Sequence, residues 1–148
     1  MLSAGLLLLL FNILGMVGAS RETCDPATGT YPDPDSVLNP LAKLIEEKVP
    51  EASYACALEP RAFLKFVQLT KEQWDAVYGK VKITKQLKFK TEKPGLTLED
   101  PEGLAKEAVQ KWSSDLGKLK GGRFGCVISH KPRPIKKNTT YKLACLFE

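Results

Sequence analysis

Hydrophobic positions change period several times along the chain. Leu6 to Phe11 is an unbroken apolar run, extended by Ile13, Leu14, Met16 and Val17, and residues 1–20 hold no Lys, Arg, Asp or Glu. Helical spacing follows. Leu41, Leu44, Ile45 and Val49 form one stripe, with Asn39 placed to cap and Pro40 at the first helical position. Pro50 ends that helix. Pro60 opens a second helical turn carrying Phe63, Phe66 and Val67. Thr70 with Gln73 is a capping-box pair ahead of Trp74, Val77 and Tyr78, and Gly79 is a stop. From Val81 to Phe89 the period becomes two: Val81, Ile83, Leu87 and Phe89 face one way, Lys82, Thr84, Gln86 and Lys88 the other. Lys85 interrupts the apolar face, which suits a bend or an edge strand. Leu98 to Leu116 returns to helical spacing. Asp100 caps, Pro101 takes the first position, and Leu104, Ala105, Ala108, Val109, Trp112 and Leu116 make the stripe. After the Gly121-Gly122 turn, Phe124–Ser129 and Tyr141–Phe147 read as strands. The expected class is α+β.

The first run reads as an address. Small residues at Gly18, Ala19 and Ser20 suit cleavage after Ala19 or Ser20, so residues 1–20 are the expected signal peptide, with an uncleaved anchor as the alternative. Residues 21–148 are then a single secreted domain. It holds all four cysteines, Cys24, Cys56, Cys126 and Cys145. An even count in an exported domain reads as two disulfides, with three possible connectivities. The local pairing, Cys24–Cys56 with Cys126–Cys145, is favoured because the last two cysteines fall inside neighbouring strands. Zinc is disfavoured, since there is no C-x₂-C pair and no adjacent His.

Charge is uneven. The chain has 22 Lys+Arg against 17 Asp+Glu, a formal net charge of +5. Residues 21–79 carry 6 basic and 10 acidic side chains, whereas residues 117–148 carry 8 and 1. The densest stretch runs from His130 to Lys137, and its two prolines are expected to keep it extended and out of a central strand. Lys131, Arg133, Lys136 and Lys137 are the candidate polyanion-binding residues, against the plainer reading of a solvated cationic loop. For an exported protein the accessible polyanions are sulfated glycans or anionic lipid; nucleic acid is not an expected partner. Asn138-Thr139-Thr140 is an N-glycosylation sequon in the same connection, and a glycan there would partly shield the basic cluster.

Catalytic chemistry finds little support. His130 is the one histidine and sits beside Lys131, with no carboxylate close in sequence. Glu46-Glu47, Glu99-Asp100 and Glu102 lie where carboxylates suit exposed faces and helix N-terminal ends. No phosphate loop or metal-ligand cluster is visible. The expected protein is not an enzyme and takes no cofactor or metal.

One resemblance adds to this reading. Gly122-Arg123-Phe124-Gly125-Cys126-Val127-Ile128, followed by Leu143-Ala144-Cys145-Leu146-Phe147, resembles the closing strands of the coccidian (Eimeria-type) surface antigen family. The helix with Trp112 is similar to that family's helix before its Gly-Cys strand, and Leu41, Leu44, Lys48 and Val49 ahead of Cys56 are similar to its early helix. The resemblance implies an α-β-α sandwich related to the cysteine-rich secretory (CAP) superfamily, with an antiparallel sheet. It also implies display by a parasite, contact with a host cell-surface protein or sulfated glycan, and exposure to antibodies. Two features depart from it. No hydrophobic tail of the GPI-signal kind follows Phe147, which favours a soluble form. The two-histidine pocket of some CAP proteins is missing, so no metal site carries over. The expected function is therefore a secreted or surface-displayed, non-enzymatic antigen that mediates host-cell attachment or immune interaction. The alternative is a secreted effector or protease inhibitor with another small α+β fold.

Overall fold

The computed structural model describes Arg21, Cys24 and residues 31–148. The expected signal peptide, residues 1–20, lies outside the described residues. In chain order the elements are α1 (Asp35–Lys48), β1 (Ala52–Tyr54) and α2 (Leu58–Phe63), which continues as a π-helical turn (Leu64–Gln68). Then come α3 (Lys71–Tyr78), β2 (Lys85–Pro94), α4 (Pro101–Lys111), α5 (Ser113–Gly117), β3 (Gly122–Arg133) and β4 (Asn138–Phe147).

The strands form one sheet in the order β1-β3-β4-β2. β4 pairs antiparallel with both β3 and β2. The sheet is antiparallel, as expected, except at one edge: β1 runs parallel to the start of β3, from Ala52 opposite Gly122 to Tyr54 opposite Phe124. A parallel pair needs a long crossover, and the chain between β1 and β3 supplies one.

Alternation along β3 and β4 builds three layers. Phe124, Cys126 and Ile128 on β3, with Tyr141, Leu143, Cys145 and Phe147 on β4, face the larger core. There they meet Val37, Leu41 and Ile45 of α1 and Leu104, Ala108 and Trp112 of the α4 region. Val127, Ala144 and Leu146 face the opposite way, against Ala62, Phe63 and Phe66. The result is an α-β-α sandwich. Gly125 is what lets α2 sit so close to the sheet: a Cβ there would lie 2.5 Å from the Cβ of Leu58 and 2.7 Å from its carbonyl carbon.

Two disulfides close the fold, Cys24–Cys56 and Cys126–Cys145. The second joins directly opposed residues of β3 and β4. A buried ionic cluster supplements the first. The Arg21 guanidinium donates to Glu59 on α2 and to Asp35 and Asn39 on α1. The Tyr54 hydroxyl donates to Glu59 at 2.7 Å and accepts from the Cys126 N–H at 3.2 Å.

Several element boundaries differ from the sequence reading, each for a visible reason. α1 starts at Asp35 and encloses Pro40, because the Asn39 side chain serves Arg21 instead of capping a helix. The strand expected from Val81 runs from Lys85 to Pro94, since β4 offers partners only from Phe147 to Asn138. Ile83 packs instead beside Ala62 and Leu146. The long helix breaks at Trp112, whose indole N–H donates to the Lys88 carbonyl at 3.0 Å. The basic stretch is not a loop: β3 continues through Pro132 to Arg133. A proline fits there because β1 pairs only with Gly122–Phe124, so the outer half of β3 lacks a β1 neighbour.

Candidate functional site

The α2 layer covers only half of its sheet face. Leu58 to Gln68 shields Val127, Ala144 and Leu146, and the chain turns away at Leu69, which is extended. Beyond Phe66 no helix among the described residues lies over the sheet face.

Strand register fixes what lies on that bare half. Lys88 stands opposite Ala144 and Val127; Lys90 opposite Lys142, which faces Ser129; Glu92 opposite Thr140, which faces Lys131. Pro94, Asn138 and Arg133 form the last row. Lys88, Lys90, Lys131, Arg133 and Lys142 therefore share one face. Glu92 pairs with Arg133 at 3.4 Å. Among the described residues, Lys88, Lys90, Lys131 and Lys142 have no carboxylate within ion-pair distance. Lys88 instead places its ammonium over the Phe66 ring, 5.4 Å from its centre. Burial lowers the Lys65 ammonium below its ordinary pKa, and its positive neighbours Lys88 and Lys71 push the same way.

Two adjoining cavities mark the face, sharing Lys90, Ser129 and Lys142. One, of about 300 Å³, lies beside Phe66, Val67, Val127 and Ala144. The other, of about 190 Å³, is lined by Lys90, Ser129, Lys131, Arg133, Thr140 and Lys142.

The candidate residues from the sequence divide here. Lys131 and Arg133 belong to the sheet face, whereas Lys136 and Lys137 sit in the short exposed turn, Lys137 with a left-handed backbone at φ 52°. Lys88, Lys90 and Lys142 were missed as members of the site. Their signal was the polar half of the period-two pattern, which carries no meaning until strand register aligns it. Asn138 opens β4 beside Arg133, so a glycan there would rise at the turn end of the same face. The His130 ring lies 5.4 Å from that of Tyr31 and 6.4 Å from that of Tyr141. Among the described residues, no group of three or more His, Cys, Asp or Glu could hold a metal ion.

The family described as Ancylostoma-associated secreted protein related matches residues 24–147. The chain belongs to this family. The match to the Ancylostoma-associated secreted protein-related family spans all four cysteines and every cation of the sheet face. It accords with the CAP-like α+β architecture and with an extracellular protein. No curated protein and no solved structure matches the chain significantly.

Proposed function

We propose that this is a non-enzymatic, secreted CAP-related protein that engages host-cell surfaces through the bare half of its sheet, with sulfated glycans as the partner. The observation that carries the reading is the set of five cations on one face, opposed by Glu92 alone among the described residues of that face. Folded elements, not a flexible tail, set their spacing. A polymeric anion laid on such a face releases counterions, which gives salt-sensitive binding. The resemblance of the closing strands to coccidian surface antigens supports a role at a parasite–host boundary, where the same face would also be open to antibodies.

Heparin affinity chromatography tests this. Neutralising Lys90, Lys131, Arg133 and Lys142 to Gln should move elution to much lower salt. The dependence of retention on salt should become shallower by roughly one counterion per charge removed. Neutralising Lys136 and Lys137 in the turn should have the smaller effect. Unchanged elution of the four-site variant would discard the glycan reading.

A further inference from the structure

We propose that the 190 Å³ cleft across β2, β4 and β3 is a discrete site for one tetrahedral oxyanion, a sulfate or phosphate monoester. This rests on the polyanion reading but says more: short-range hydrogen bonds, and not only diffuse charge, select the ligand. The cleft is smaller than the ~300 Å³ at which small-molecule pockets usually begin, which suits one ester group better than a whole sugar chain.

Three features converge on it. Lys90 and Lys142 are direct cross-strand partners, and like charges so placed destabilise a sheet unless something answers them. An anion between them converts repulsion into two charge-assisted hydrogen bonds. The second feature is hydroxyl chemistry. Thr140 is 4% exposed, and its Oγ1 is buried with no hydrogen-bond partner among the described residues. A buried hydroxyl left unpaired is costly, and an ester oxygen would accept from it. Ser129, one row away opposite Lys142, supplies a second hydroxyl at the cleft wall. The third is orientation. Glu92 holds Arg133 at 3.4 Å, which fixes the guanidinium beside the cleft and also places one negative charge at its border. That carboxylate disfavours densely charged ligands such as pyrophosphates and favours a monoester.

The test separates these bonds from bulk charge by using variants that keep every charge. Unglycosylated protein would be titrated with inorganic phosphate, a monosulfated disaccharide and inositol 1-phosphate, followed by calorimetry and by amide NMR shifts. The wild type should show saturable one-to-one binding of at least one ester, with shifts centred on Ser129, Thr140 and Lys142. Thr140→Val and Ser129→Ala should each weaken it roughly fivefold, the loss of about one hydrogen bond, while heparin retention stays unchanged. Unliganded Thr140→Val should melt no lower than the wild type, because the lost hydroxyl has no partner among the described residues. Stronger binding of the sulfated sugar assigns the site to glycans, and stronger binding of inositol 1-phosphate assigns it to a lipid headgroup. Either supports the shared chemistry. Non-saturating shifts spread over all lysines, or full ester affinity in both variants, would overturn the cleft. Should Thr140→Val not fold, Ser129→Ala reads the same loss. If charge removal leaves heparin elution untouched while an ester still saturates the cleft, the polyanion reading falls and the cleft stands.

Discussion

Arg21, Tyr54 and Glu59 show how few side chains fasten the start of the domain. Arg21 and Glu59 keep only 2% and 5% of their side chains exposed; Glu59 depends on Arg21 for its counter-charge, while Arg21 is also paired with Asp35. Removing one partner of such a buried pair commonly costs about 3–5 kcal/mol. Burial raises the Tyr54 hydroxyl well above its ordinary pKa, and the charge of Glu59 adds to this. The unfolded chain releases the tyrosine proton near pH 10, while the folded chain retains it. Stability from this group is complete below pH ~10 and is lost as the pH rises further. Thermal melts from pH 8 to 11 should therefore fall steeply for the wild type and less steeply for Tyr54→Phe, which starts lower because the Cys126 N–H loses its acceptor. Parallel slopes would show that Tyr54 is not the titrating group.

Among the elements, close approach between α2 and β3 depends on one missing side chain. Gly125→Ala places a methyl against the backbone of Leu58 and should destabilise the fold by about 1–3 kcal/mol in urea unfolding, as overpacking does. A change below ~0.5 kcal/mol would mean that α2 yields easily. Local chemistry made some elements readable from the chain alone. The Thr70–Gln73 box forms both of its bonds, and Asp100 caps α4 through the Gly103 N–H at 2.9 Å. These signals act within four residues, so nothing distant overrides them. Asn39 and Pro40 misled because the Asn39 side chain answers to Arg21, 18 positions away. β1 was unreadable for a related reason: three residues carry no period, and only the parallel partner at Gly122–Phe124 makes them a strand. The cationic face was half legible. Lys131 and Arg133 stood out as a cluster, but Lys88, Lys90 and Lys142 join them only through the register of β2 and β4.

At the scale of the whole molecule, the two faces of the sheet are unequal. One is covered by α1 and α4 along most of its length, and the other is covered by α2 only near the Cys126–Cys145 bridge. β3 pairs with β4 without a break from Phe124 opposite Phe147 to Arg133 opposite Asn138, and β1 reaches only Gly122–Phe124, so from Cys126 to Arg133 the ladder alone offers no reason for one end to be looser. Tertiary cover does. Hydrogen–deuterium exchange should therefore form a gradient down the hairpin, slowest at Cys126, Val127, Ala144 and Cys145 and fastest at Lys131, Arg133 and Asn138. Uniform protection along the hairpin would contradict this. A bound oxyanion ester would slow the fast end selectively, stiffening the tip where the described residues supply no third layer.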